Sequence, residues 1–591
     1  MKFIQLVVDS SSHFSYNIPN IGKQVVIINQ IIDENYIDLI IENDIIDFYG
    51  PIENITPLNA RQSILHILST EIDMCDLGIF PYHFYPSIYT LCSTASSEKS
   101  GIIQIQRNPN FALYGQGVLV AVIDSGIEYQ HQAFRNADNT TRIVSIWDQT
   151  INEVSSVPPE GFLYGTQYSR ELINEALQSD TPLEIVPSTD EIGHGTMIAG
   201  IIAGNENMDE NFSGVVPQAE LVVVKLKQAK QKNRQIMAVR NDVICFQSTD
   251  IIAGIRYVYE VAQQLQRPLA ICIALATNEG GHDGRSAMSN YLSIISQTPR
   301  FDVVIAVGNE GNSQRHYFGT IIAGPASYQT FQLNVSEKDT LFSFEIWQSA
   351  PYRLSLGITS PSGENIENIY PQLNQCRRVN FIFESSVIWV NNIISESVTG
   401  DQLILIRFYR PMAGIWTFRL TNIDNQSSSF HAWLPTGDII SNETYFIGSN
   451  PNTTITAPSA ALYALAITAY NQENNSILLT SGRGFTRTDI IKPDLAAPGF
   501  NITCPILGNQ YGSLTGTGSS AAHATGIVAM VLEWAVVNQN FQSITGTDIN
   551  SLLIRGANRS NNLTYPNQIW GYGEISITGF FEKLRNIPTR P

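Results

Sequence analysis

The sequence predicts an α/β fold: a parallel sheet flanked by helices, preceded by a small α+β unit and interrupted by an antiparallel β-sandwich. Two observations predict it. From about residue 102, continuous apolar runs alternate with helical stretches, the pattern of strands buried on both faces and covered by helices. Between about 325 and 435 the rhythm changes to short β-like runs, spaced roughly ten residues apart and separated by Pro, Gly, Asn and Ser. At 591 residues the chain is too long for one ordinary core, so several units are expected.

Residues 1–95 form the first unit. Strand-like runs at Phe3–Val8, Gln24–Ile32 and Tyr36–Ile41 precede a helix-like segment around Leu58–Leu68, in which Asn59 is the candidate cap of Ala60–Ile67. The Ser-rich stretch from Cys92 to Ser100 has little to bury and reads as an exposed linker. Residues 102–325 carry the apolar runs Val118–Ile123, Leu221–Lys225, Leu269–Leu275 and Val303–Val307, with helices expected over Gly195–Ala203, Asp250–Gln266 and Gly284–Gln297. Residues 326–450 are the inserted sandwich, of jelly-roll-like pattern. Residues 451–591 return to the α/β pattern, with a helix over Ser519–Val537 whose most apolar part, from Ala521, falls short of a membrane span.

Composition excludes some functions. A net charge of −19 with no basic stripe argues against a nucleic-acid partner. The six cysteines are scattered without a CxxC pair, which favours neither a zinc site nor a disulfide framework. No signal peptide is expected from Met1–Asp9, and neither a membrane nor a cofactor partner is expected.

Three segments carry chemistry. Asp124 ends a buried strand in Val122-Ile123-Asp124-Ser125-Gly126, where a carboxylate can accept a histidine N–H and stabilise imidazolium. His194 lies between two glycines at a helix start. Asn309 follows another buried strand in Gly308-Asn309-Glu310-Gly311-Asn312, and its amide can serve a developing oxyanion. Taken singly, each is more simply a turn or a helix end. Their combination and order reverse that judgement.

The order Asp124, His194, Asn309, followed by Gly516-Thr517-Gly518-Ser519-Ser520-Ala521-Ala522-His523-Ala524-Thr525-Gly526, resembles the subtilisin-like serine proteases, the subtilases. Their nucleophile motif is Gly-Thr-Ser-x-x-x-x-His-x-x-Gly, so Gly518 stands where the attacking serine would be. Lys492-Pro493-Asp494-Leu495-Ala496-Ala497-Pro498-Gly499 resembles a further segment of that family. Arg142–Gln149 and Thr277–Gly284 are similar, more narrowly, to the clostridial Csp germination proteases, which include pseudoproteases.

The resemblance implies a subtilisin-like sheet in which Asp124 orients, His194 is the base and Asn309 serves the oxyanion hole. It makes residues 1–95 a prodomain whose tail, around Tyr89–Ala95, lies in the substrate cleft. Ala274-Leu275-Ala276 replaces the Ser-Leu-Gly edge that pairs with substrate, and Val307 takes a place that is usually small; Ala276 and Val307 are expected to crowd the cleft. Ser519 is expected at the N-cap or first turn of its helix rather than as a substitute nucleophile. Two functions follow: a pseudoprotease that regulates or signals in bacterial spore germination, or an active serine endopeptidase using a neighbouring serine or carrying Gly518 only as an engineered inactivation. Implied partners are proteins, a cortex-lytic hydrolase precursor or other Csp proteins, in the spore; no metal is implied.

Overall fold

The computed structural model describes residues 30–48, 54–71, 77, 80–92, 106, 112–324, 327–373 and 375–585. The expected strand Phe3–Val8 and most of Gln24–Ile32 lie outside the described residues; of the expected exposed linker Cys92–Ser100 only Cys92 is described, and it is buried rather than exposed.

In chain order the strands are β1 (Tyr36–Glu42), β2 (Ile55–Pro57), β3 (Gln62–Leu68), β4 (Ile88–Leu91), β5 (Leu119–Asp124) and β6 (Ile143–Asp148). β7 (Thr166–Ser169), β8 (Glu220–Lys225), β9 (Phe246–Gln247), β10 (Leu269–Ile273), β11 (Leu275–Ala276) and β12 (Phe301–Ala306) follow. The helices used below are α1 (His194–Ala203), α2 (Ser248–Gln264), α3 (Ala287–Gln297) and α4 (Thr517–Leu532).

The central sheet runs Ser476–Ile477, Leu465–Asn471, β12, β10, β5, β8, β6, β7, and its pairings from Leu465–Asn471 through to β6 are parallel. Alternation along β5 explains its unbroken apolar run. Val120 and Val122 join the core under α1 and α4, whereas Leu119, Ala121 and Ile123 face the core under α2 and α3. α4 packs on β10, β12 and α1. By length and composition, Thr517–Val537 does reach membrane-spanning size, contrary to expectation, but 83% of its apolar window is buried inside the fold: it is the core helix.

The insert is a two-sheet antiparallel sandwich, one sheet of six strands and one of five. Its first strand, His316–Ile321, begins ahead of the expected boundary at 326, because it pairs with the insert's late strand Ser428–Trp433. Ahead of the sheet, β1, β3 and β2 form a three-stranded antiparallel sheet. Here the expected helix at Ala60–Ile67 is corrected: Asn59 turns the chain by accepting the Arg61 and Gln62 amides, and Gln62–Leu68 pairs with β1 as a strand. Ile37, Leu39 and Phe84 of this unit share one hydrophobic core with Phe344, Leu405 and Trp416 of the insert, so the two are packed together beside the sheet domain. Cys92, Cys245, Cys272 and Cys504 are free and buried, while Cys376 is disulfide-bonded, although the cysteine spacing favours no disulfide framework.

Candidate functional site

Asp124, the last residue of β5, is buried at the carboxyl edge of the sheet, and its Oδ1 accepts the Ser125 amide at 2.7 Å. His194 opens α1, and its Nδ1 lies 2.8 and 2.9 Å from the two Asp124 oxygens. Gly195 makes this approach possible: a Cβ there would fall 2.1 Å from the Gly126 carbonyl oxygen and 3.2 Å from Asp124 Cβ. The start of α1 is held by Asp190, which sequence reasoning missed. Its carboxylate accepts from the Gly193 and Thr196 amides and from the Ser125 and Thr196 hydroxyls, all within 2.7–2.9 Å. An acidic residue four positions before the histidine was the available signal.

Burial disfavours the charged ring of His194, but the adjoining Asp124 carboxylate outweighs it and holds the histidine pKa above its ordinary value. The other ring nitrogen, Nε2, faces the Cys92 carbonyl oxygen at 3.4 Å. A ring that donates to Asp124 through Nδ1 can also donate there only as imidazolium, the form Asp124 favours.

Cys92 belongs to the end of the N-terminal unit. β4 lies between two strands of the neighbouring domain, antiparallel to both: Leu91 opposite Leu275 and Thr90 opposite Ala276 on one side, Ile88 opposite Gln247 and Tyr89 opposite Phe246 on the other. The Cys92 amide donates to the Ala274 carbonyl at 2.9 Å. Ala274, Leu275 and Ala276 thus meet an extended peptide through their backbone, and that peptide is the chain's own. Tyr89, Thr90 and Cys92 are buried. The insert covers the strand from outside, where Thr436 Oγ1 lies 3.1 Å from Thr90 Oγ1. Burial, then the Glu310 and Asp124 carboxylates, push the Cys92 thiol well up, so it is a neutral group beside the Thr517 hydroxyl.

Asn309 Oδ1 accepts from the Thr517 amide at 3.1 Å and the Thr517 hydroxyl at 3.2 Å. This orients the amide and leaves Nδ2 outside that pair. Gly518 is the second residue of α4, directly after Thr517, and is buried. The two serines that follow are committed elsewhere: Ser519 Oγ donates to the Gly516 carbonyl at 2.8 Å, and Ser520 Oγ lies within 3.0–3.3 Å of the Ala497, Pro498 and Gly516 carbonyls. The N-cap is Gly516 rather than Ser519, because Ser519 already sits in the first turn. Val307, expected to crowd the cleft, is buried. It packs with Ile455 and Ala466 in a small separate cluster, and its amide donates to the Ile467 carbonyl at 3.2 Å. A cavity of about 520 Å³ continues the cleft beyond Cys92 and is lined by Asn309, Glu310 and Arg315 among others. Among the described residues no group of three or more His, Cys, Asp or Glu is placed to hold a metal ion.

Comparison with known proteins agrees with this geometry. The sequence profile of the subtilase family matches residues 115–336 and 422–573. The structure of the Clostridium perfringens CspB protease superposes with a TM-score of 0.73 at 28% identity, covering 82% of this chain and 96% of that one. A C5a peptidase of Streptococcus pyogenes is 21% identical over 444 residues, 71% of this chain and 35% of its own length. A PII-type proteinase of Lactococcus lactis subsp. cremoris is 29% identical over 120 residues, 20% of this chain and 6% of its own. The chain therefore spans at most about a third of the length of these curated relatives.

Proposed function

We propose that this chain, which belongs to the subtilase family and is related to the CspB protease, is a pseudoprotease: a binding or signalling protein whose cleft is filled by its own N-terminal segment. The observation that carries the reading is the pairing of an intact Asp124–His194 couple with a glycine at position 518, while both neighbouring hydroxyls are spent on backbone carbonyls. Orienter, base and oxyanion donor then have no oxygen to activate. Removing the nucleophile of a subtilase costs about a millionfold in turnover.

The placing of β4 supports the second half of the reading. An active relative releases its prodomain by cutting it; without a nucleophile the peptide bond after Cys92 persists and β4 stays tethered. The covalent link holds β4 at an effective concentration on the order of millimolar, enough to keep competing peptides out. The outer faces and the insert remain free to meet protein partners. By its likeness to the Csp proteins, the proposed setting is spore germination, with a cortex-lytic hydrolase precursor or another Csp protein as the partner.

An active endopeptidase relying on Ser519 or Ser520 gains no support from where those hydroxyls point. Labelling with a fluorophosphonate probe tests the reading: no adduct is expected, and an adduct abolished by His194→Ala would overturn it.

A further inference from the structure

The Thr277–Gly284 segment has a property the cleft does not explain. Glu279 is buried where the N-terminal unit, the sheet domain and the insert meet, and its Oε2 accepts the amide of Ile88, the first residue of β4, at 3.0 Å. The next residue, Gly280, donates its amide to Glu345 of the insert at 2.9 Å. Glu345 is buried too and is better supplied, taking Trp347 Nε1 at 2.8 Å and the hydroxyl of Tyr82 from the N-terminal unit as well. A carboxylate with three donors is suited to carry charge, and one with a single donor beside it is suited to carry a proton.

We propose that Glu279 is a proton-operated latch on the N-terminal segment: while it is protonated β4 stays in the cleft, and its ionisation as pH rises loosens that strand. The proposal rests on the reading of β4 as the occupant of the cleft.

The surroundings fit this role. From the N-terminal unit Tyr82, His83 and Tyr89 face the junction; from the insert, Glu345 and Glu396; from the sheet domain, Cys245 and Arg487. The only permanent cation in this set, Arg487, is taken by Asp401 at 2.7 Å and lies over the Trp347 ring. His83 pairs with Glu396 at 3.3 Å. Nothing in the set offsets a second carboxylate, so burial first and the Glu345 charge next raise the Glu279 pKa, and burial raises that of Glu345. The sign follows. A carboxyl whose docked pKa is raised above its solvent value holds the docked state at low pH, and that hold is lost progressively as pH climbs from the solvent value toward the docked one. When β4 and Tyr82 leave, both acids lose these donors and gain water, so opening and ionisation are coupled.

The test is hydrogen–deuterium exchange of the full chain from pH 5.5 to 9, with protection factors corrected for intrinsic rates. Protection of residues 86–92 is expected to fall by about tenfold per pH unit through part of this range, while β5 and α4 stay constant. Glu279→Gln keeps a carbonyl acceptor for Ile88 without a titrating proton and is expected to abolish the slope. Glu345→Gln removes the neighbouring charge and is expected to narrow the range. Constant high protection in the unsubstituted chain, or an unchanged slope in Glu279→Gln, overturns the latch. Residues 86–92 unprotected at every pH would overturn the occupied cleft itself, and the latch with it.

Discussion

Replacing Asp38 with alanine is expected to undock the N-terminal unit. Asp38 lies on β1 and is fully buried; it receives Lys230 Nζ at 2.7 Å, His66 Nδ1 at 2.8 Å and Gln247 Nε2 at 2.8 Å. Lys230 and Gln247 belong to the sheet domain, as does Asn233, whose side chain bonds the Asp38 amide at 3.2 Å and its carbonyl at 3.0 Å. These groups tie the unit to the sheet domain. Deleting the carboxylate leaves the Lys230 ammonium, 2% exposed, without a counter-charge, and breaking a buried pair in this way costs about 3–5 kcal/mol. Opening of β1 and β3 should then become about 10²- to 10⁴-fold more frequent, read as lost exchange protection there while α2 and α4 keep theirs. The double variant Asp38→Leu/Lys230→Met should recover most of the loss, because apolar replacement of a whole buried pair is nearly neutral. The dependence on acid has a definite sign. Although burial opposes it, Lys230 and then His66 hold the Asp38 carboxyl well below its usual range, so its contribution is present above the unfolded carboxylate pKa and is lost as pH falls beneath it. A cost for Asp38→Ala below about 1 kcal/mol, or a double variant no better than the single, would refute this reasoning.

Gly518→Ser is expected to lower the mass of the main chain by self-cleavage after Cys92, whose carbonyl already faces His194, with little turnover of added substrate because the cleaved strand stays bound; an unchanged mass would refute the placing of that carbonyl. Gly437 adopts φ +55° and an added Cβ would lie 2.6 Å from Thr90 Oγ1, so Gly437→Ala should weaken the seating of β4 by about 1–3 kcal/mol, seen as exchange at residues 88–92 with the sheet unaffected. Burial pushes the Asp302 carboxyl up to about 8; its stabilising protonated form is lost as pH rises from about 4 toward 8, so Asp302→Asn should raise the melting temperature at pH 8 and flatten its decline from pH 5, and a fall at both pH values would contradict this.

The parts of the fold that were legible in the sequence are those where one residue pattern admits one environment. Val118–Ile123 is apolar at every position because both faces of β5 are covered, and Asp124 is polar because the strand ends there. The Asp124–His194 contact was legible from the glycines that permit it. The segment Ala60–Ile67 was not: Ile64, Leu65 and Ile67 fit a helix face or a strand equally well, and pairing with β1 decides between them only in three dimensions. Glu279 and Asp38 were invisible as a class: their side-chain partners lie on other elements, and no local pattern marks a carboxylate destined for burial.

The intact mass of the protein, expressed alone and purified, tests the central claim most directly. With Gly518 in the nucleophile position no acyl-enzyme forms, and a single species of the full 591 residues is predicted. A clean break between residues 85 and 100, absent from the His194→Ala variant, would show that the chain cuts itself and would contradict the account.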